Sequence, residues 1–526
     1  MAVTRAPAGV VYTPRDVCEP MVRHALAPVV ADRGREGLLA LRICDPAIGE
    51  GAFLIEIVRV LGEALAACGV AGARKLVAQH CLYGVDIDPR AVAIARAAVE
   101  DFVGARVPEL REHLRVGDAL AVEWPQRFDL VVGNPPYVRQ ELLANKAALR
   151  KFECYDGVAD LYVYFIELAQ RIGDRFCLIV PNKWMTAAYG RPLRELLARS
   201  RSVAGIVDFA RGLPLFADAD AFPCIVWGGI EHRGVARGSR VTTPTAVDAA
   251  LAAPGIEHRW DTDPWHIDDP DDGALIDRLT DRWPSLAHVV PERPSRGVVT
   301  GCNRAFVIDA ASRERILADE PAAAALIRPF IKGRDVRRWQ PAPIDRYILL
   351  IDRGTPLTPG VRKHLAPFRA ALEPGTGRKP GKYKWYELQD PVVPLAKSRA
   401  PRLFYQDIQT SPACCLDPTG ELVPDTTVWI LPSADPVLLA VLNSPLYAWY
   451  ARRRFPPALN GAVRPKLEYM RALPIATPAP ALRKAIAALV ARQLADPDPA
   501  IDGKLAELVD AAYELRPHEA ALVRQR

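Results

Sequence analysis

At 526 residues the chain is longer than one common domain, and roughly 100 to 200 residues per domain predicts two or three folding units. Half the residues are hydrophobic and a quarter charged, a globular composition that excludes wholesale disorder and a fibrous architecture. A formal net charge of +6 is too small for so long a chain to mark a nucleic-acid binder unless the cations cluster. No apolar run reaches the roughly 18 residues of a membrane span, and the opening MAVTRAPAGVVYTPRD lacks the apolar core of a signal peptide, so a cytoplasmic protein is expected. Ten scattered cysteines contain no CxxC pair, which predicts buried free thiols rather than structural zinc or a disulfide framework.

In chain order, the first part alternates short apolar runs with amphipathic stretches. The runs LRICDP, LYGVDID, FDLVVGNPP, FCLIVP, AGIVDFA and FPCIVWGGI read as strands of a mostly parallel sheet, and AVAIARAAVEDFV reads as one of the helices between them. The fold class is therefore α/β, a doubly wound Rossmann-like domain over residues 1–233. Residues 234–290 turn rich in Pro, Asp, Thr and Gly and read as a linker or peripheral segment. A mixed α+β domain is expected over 291–475, from strand-like pieces such as YILLID, PRLFYQDI and TTVWIL, followed by a helical tail over 476–526. Between Val361 and Leu403 ten basic residues stand against three acidic ones, a cluster able to neutralise phosphates or simply to form a solvated loop.

Four motifs follow the early strands. DPAIGEGAF, residues 45–53, is a strand-to-helix turn whose Gly49 and Gly51 allow close approach by a cofactor, but GEGAFL departs from a dinucleotide fingerprint. Asp45 at its head suits an amino-bearing ligand better than a pyrophosphate, which a carboxylate repels. GVDIDP ends the next strand, where Asp86 is placed to accept hydrogen bonds from ribose hydroxyls and Asp88 to cap the helix beginning at Pro89. In VGDAL, Asp118 is placed to accept from an adenine amino group. Each acid alone also fits an N-cap or surface role; their order, each just after an apolar strand, points to one crevice. The fourth motif, NPPY, puts an amide, two prolines and an aromatic ring after a strand, which fits either a proline-bounded turn or a grip on an exocyclic amino group.

DPAIGEGAF, GVDIDP, GDAL and NPPY in this order, with Thr13-Pro14 before them and DGVADLYVYFIELA and IVPNKWMTAAYGRPLRELL after, resemble the gamma-class DNA adenine-N6 methyltransferases, in particular the TaqI-like enzymes of restriction-modification systems. The resemblance implies S-adenosylmethionine as cofactor, contacted by Thr13, Asp45, Ala47 and Gly49, with Asp86 on the ribose, Asp118 on the adenine, and Phe53 and Ile87 as apolar walls. It further implies that residues 291–475 form a DNA-specificity domain and suggests a TCGA-containing palindrome as target. Asn134 and the Pro135 carbonyl would accept hydrogen bonds from the target amino group, Tyr137 would stack on the base, and Tyr189, one residue early relative to TaqI-like spacing, would be the second stacking ring.

An amino group conjugated with a purine is a poor nucleophile, and two fixed acceptors would turn its lone pair toward the methyl donor without a metal or covalent intermediate. A base in a duplex must first be flipped out, so double-stranded DNA is the expected partner and the second domain its clamp. Candidate DNA contacts are Arg304, Lys332, Arg334, Lys382, Lys384, Trp385 and Arg453, with Tyr383 and Tyr386 interleaved among the lysines. The methylase pattern begins by residue 11, and DGK at 502–504 lies in a helical tail, so a separate cognate endonuclease is expected to carry any cleavage. The alternatives are an amino-methyltransferase acting on RNA or a protein glutamine, which shares NPPY, and a non-catalytic DNA-specificity subunit.

Overall fold

The computed structural model describes residues 13–124, 126–143, 146–209, 222–230, 235–253, 255–258, 260 and 264–525. The chain divides into two compact units, residues 1–269 and 270–526. No helix among the described residues is long and apolar enough to cross a membrane.

The first unit is built on one nine-stranded sheet. Its strands are β1 (Ile43–Asp45), β2 (Leu82–Asp86), β3 (Leu114–Val116), β4 (Leu130–Gly133), β5 (Arg175–Pro181), β6 (Val203–Phe209), β7 (Pro223–Gly229), β8 (Ala236–Val241) and β9 (Ile256–His258). Their order is β3-β2-β1-β4-β5-β7-β6-β8-β9. The pairs from β3 across to β5 are parallel, while β7 runs antiparallel to both neighbours. Every residue of β4 is buried, as a strand covered by helices on both faces requires, which is why it reads as a continuous apolar run rather than an alternating one. The helix Ala52–Ala67 buries Phe53, Leu54, Ile57, Val58, Leu61 and Leu65 at helical spacing. The helix Pro89–Val103 starts as expected, with the Asp88 carboxylate accepting from Arg90 N and Pro89 in the first turn.

The stretch 234–290 is not one linker. Its first part extends the sheet, β8 pairing parallel to β6 and β9 antiparallel to β8. Trp260, Trp265 and Ile267 then enter the core that holds Trp184. Its last part, the helix Pro270–Arg282, belongs to the second unit.

The second unit holds two four-stranded sheets. The strands are β10 (Ser295–Arg296), β11 (Val307–Asp309), β12 (Ile327–Ile331), β13 (Arg346–Leu349), β14 (Arg402–Gln406), β15 (Cys414–Asp417), β16 (Val423–Pro424) and β17 (Val428–Leu431). One sheet runs β10-β17-β14-β15 and the other β11-β13-β12-β16. The run DPVLLAVLNSPLYAWYARR forms two helices, Pro436–Leu442 and Pro445–Arg454, capped by Asp435 and Ser444. The C-terminal segment is part of this unit's core: Ile486, Val490, Ile501, Leu505 and Val509 are buried in the same cluster as Leu275, Ile276 and Leu279. The Trp339 indole N–H donates to Asp502 at 2.8 Å and ties the core to that segment.

Candidate functional site

Three motif-bearing turns meet at the C-terminal ends of the parallel strands. Beyond β1 the backbone passes through Gly49 (φ 53°) and Gly51 (φ 91°) into the helix Ala52–Ala67, conformations that L side chains rarely adopt. A Cβ at Gly51 would lie 3.1 Å from Ala95, whereas one at Gly49 would meet nothing within 4 Å, so the turn is tight behind and open in front. Gly49 N donates to one Asp86 oxygen at 2.8 Å and Asp88 N to the other at 2.9 Å, which fixes that carboxylate while leaving lone pairs on each oxygen.

Asp45 is the buried acid of the site, 1% exposed. Its Oδ1 accepts from Ala47 N at 3.0 Å, and its Oδ2 has no hydrogen-bond partner among the described residues. Burial pushes its pKa from 3.8 up to about 7; the Ala47 hydrogen bond works against this and the neighbouring Asp86 adds to it. Gly133, the last residue of β4, faces the same carboxylate: a Cβ there would lie 2.5 Å from Asp45 Oδ1. The residue that follows is Asn134, so NPPY begins directly beside Asp45.

Asn134 Nδ2 donates at 2.9 Å to Oγ1 of Thr13, itself buried at the head of the helix Arg15–Val30. That bond makes Oδ1 the acceptor end of the amide, directed away from Thr13. Pro135 is buried and Tyr137 half-buried. The Tyr137 hydroxyl reaches the Ile179 carbonyl at 3.5 Å, and burial raises its pKa well above the ordinary value. Its ring meets Tyr162 edge-on at 6.4 Å, and the Tyr162 hydroxyl is 3.0 Å from that of Tyr189. The segments NPPY, DLY and NKWMTAAYG are thereby drawn together. Leu161 N donates to Val138 O at 3.0 Å and Gln140 N to Asp160 at 3.0 Å, closing the loop after Tyr137 onto DLY. Tyr162 and Asp160 are the residues sequence reasoning passed over; the DLY run was visible, but nothing in it distinguishes a bridging tyrosine from a core one.

The remaining expected cofactor residues divide. Ile87 is 73% exposed, an apolar side chain left open beside Asp86. Asp118 is exposed and its carboxylate accepts from Leu120 N at 2.9 Å, so it also shapes its own turn. Phe53, expected as a wall, is 4% exposed and packed into the apolar core beneath the turn. A cavity of about 950 Å³ lies at the other end of the sheet, lined by His24, Arg33, Asp129, Arg175 and Trp227, and none of the motif residues borders it.

In the second unit the basic run is less open than its sequence suggests. Arg378 and Arg402 are buried, Arg378 donating to the carbonyls of Leu372, Thr300, Glu387 and Trp385, and Arg402 lying 3.5 Å from the Asp417 carboxylate. Lys363, Arg369, Lys397 and Arg399 pair with Asp319, Glu373, Asp352 and Glu421. Lys382, Lys384, Arg304 and Arg334 are exposed and Lys332 is half-buried. Trp385 lies under the Arg369 guanidinium at 4.3 Å and edge-on to Tyr386. Arg453, expected to contact DNA, is instead engaged internally: it lies 2.6 Å from the buried Asp272 and over the Trp449 ring at 4.7 Å.

The family model described as Eco57I restriction-modification methylase matches residues 107–216, and that described as RMKL-like, methyltransferase domain, matches residues 39–153. The chain is 27% identical over 473 residues to the type II methyltransferase M.PaeR7I of Pseudomonas aeruginosa, covering 82% of this chain and 80% of that protein. It is 25% identical over 513 residues to the type II methyltransferase M.XhoI of Xanthomonas vasicola, covering 88% and 90%. Among solved structures, the type IIL restriction-modification enzyme MmeI in complex with DNA shares the fold with a TM-score of 0.62 at 16% identity, over 97% of this chain and 76% of that one.

Proposed function

We propose that the chain, which is similar to restriction-modification methylases, is a DNA methyltransferase that methylates the N6 amino group of an adenine flipped out of double-stranded DNA, with S-adenosylmethionine as donor. The observation that carries this reading is adjacency: the acid suited to an amino-bearing cofactor, Asp45, and the amide suited to a substrate amino group, Asn134, are brought together through Gly133.

The residues present fit the cofactor. Asp45 keeps a buried carboxylate oxygen without a partner among the described residues, which a cationic amino group would satisfy. The open space over Gly49, the Asp86 carboxylate and the exposed Ile87 offer room, a hydroxyl acceptor and an apolar face beyond it. When bound, S-adenosylmethionine supplies an electrophilic sulfonium methyl.

The chain's own groups then do the rest. Asn134 Oδ1 and the Pro135 carbonyl accept the two amino hydrogens and turn the nitrogen lone pair out of the ring. Thr13 fixes the amide before the substrate arrives, and the two prolines stiffen the turn, so little reorganisation is left for the reaction. Tyr137 and Tyr189 take the base between them, each stacking contact being worth roughly 1 to 3 kcal/mol against the few kcal/mol that unstacking costs. Lys382, Lys384 and Trp385, with Arg304, Lys332 and Arg334, supply the duplex contacts. Modification of this kind protects DNA from a separate endonuclease of the same specificity.

Long-read methylation mapping of DNA from cells expressing the wild-type chain or Asn134→Ala tests the reading. N6-methyladenine at one short sequence, absent from the variant, is expected. Unmodified DNA from both, with soluble protein that binds S-adenosylmethionine, would shift the substrate to RNA or protein.

A further inference from the structure

In the second unit two arginines converge on one nearly buried carboxylate. Asp407 directly follows β14 and is 8% exposed. Its Oδ1 accepts from the Arg296 guanidinium and from the Trp429 indole at 3.0 Å, and its Oδ2 from Arg464 at 2.9 Å. Two guanidiniums thus share one carboxylate, a local excess of one positive charge. Neither is buried: the side chains of Arg296 and Arg464 are 42% and 39% exposed.

Both arginines are held in place. Arg296 lies over the Trp429 ring at 5.0 Å, and that ring is stacked at 5° on Tyr405, so its guanidinium is fixed by an aromatic face and a carboxylate together. Arg464 ends a short hairpin closed at Asn460 (φ 56°) and Gly461 (φ 71°) and pinned by the paired bonds Gln409 N to Val463 O, 2.9 Å, and Val463 N to Gln409 O, 2.8 Å. An arginine fixed in advance loses less side-chain entropy on binding, which favours a directional acceptor pair over a diffuse negative charge. Ile408, beside Asp407 in the chain, is 52% exposed. The same end of the sheet carries the Lys332–Arg334 loop: Gln406 donates to Gly333 O at 2.6 Å, and Gly333 N to Thr427 at 2.8 Å.

We propose that Arg296 and Arg464 are base-reading residues of the second unit, each donating to the O6 and N7 acceptors of a guanine in the major groove, with Asp407 as the residue that positions both. The proposal rests on the DNA-methylation reading above. Ile408 supplies an apolar neighbour of the kind that meets a thymine methyl, and the nearby Lys332 and Arg334 are left to the phosphates.

Lysine keeps the charge but not the planar fork, so Arg→Lys separates the two acceptor sources. The methylated motif and the salt dependence of DNA binding would be measured for the full-length wild type, Arg296→Lys, Arg464→Lys and Asp407→Asn. Each lysine variant is expected to lose about 5- to 150-fold of its discrimination at a G·C position of the motif, with an unchanged salt slope. Asp407→Asn is expected to relax the same positions. Lysine variants that keep the wild-type motif and discrimination, whether or not their thermal midpoint falls, would overturn the proposal and make the pair phosphate contacts or structural ties. A wild type that methylates no DNA would overturn the underlying reading itself, and this proposal with it.

Discussion

Replacing Asp45 by Asn is expected to stabilise the ligand-free protein, and to do so more at high pH. The unfolded carboxyl ionises near 3.8 and the folded one near 7. Across that window the folded state holds a proton that the unfolded state has released, so the wild type loses stability as pH rises from about 4 to about 7 and no further above it. At roughly 1.4 kcal/mol per pH unit, the full penalty is about 4 kcal/mol, of which about 1.5 is already present at pH 5. Asparagine keeps an oxygen for the Ala47 amide and carries no charge to desolvate. Thermal unfolding of the full-length wild type and Asp45→Asn at pH 5 and pH 8 would read the difference: the variant's advantage should grow by about 3 kcal/mol between the two. An advantage independent of pH, or a variant less stable at both, would refute the assignment of Asp45 as a strained buried acid. The variant should also lose cofactor affinity, the usual trade between stability and function at such a site.

Further outcomes follow from particular contacts. Gly133→Ala puts a Cβ 2.5 Å from Asp45 Oδ1, so cofactor binding measured by calorimetry should weaken and folding stability should fall by about 1 to 3 kcal/mol; an unchanged titration would contradict the adjacency. Thr13→Val removes the hydroxyl that orients Asn134 and should lower kcat by about three- to tenfold, with Thr13→Ser near wild type; equal rates for all three would show that the bond does not position the amide. Arg453→Ala strands the buried Asp272 and should cost about 3 to 5 kcal/mol of stability, whereas Lys382→Ala should leave stability intact and lower the salt slope of DNA binding by about one; the reverse pattern would restore Arg453 as a DNA contact.

What the sequence disclosed was set by locality. The six strands read from short apolar runs are there because each is buried on both faces, and the acids after them lie at the strand ends because β-α turns leave no other place for them. The Asp88 cap and the Gly49–Gly51 turn are likewise local conformations that local residues dictate. Burial of polar chains was not legible. β8 reads ARGSRV and looks like a loop; it is a strand because it pairs with β6, and its Arg240 meets Asp208 across that pairing. Arg378 and Arg402 look like part of a basic surface, yet their donors are taken by carbonyls and a carboxylate that fold back from elsewhere in the chain. The same holds for Arg453, whose partner Asp272 lies far away in sequence, and for the tail, whose apolar stripe fits either a free amphipathic helix or a core face. The link from Tyr137 through Tyr162 to Tyr189 needed coordinates, since three separate segments contribute one ring each.

Transfer of a methyl group to the amino nitrogen of adenine in DNA can be tested directly. The most direct measurement incubates the purified full-length protein with unmodified double-stranded DNA and S-adenosylmethionine bearing a deuterated methyl group, then digests the DNA and identifies labelled nucleosides by mass spectrometry. Labelled N6-methyladenine, lost with Asn134→Ala, is expected. Label on the cytosine N4 amino group would contradict the assignment of the base, and label that survives Asn134→Ala would contradict the role given to NPPY.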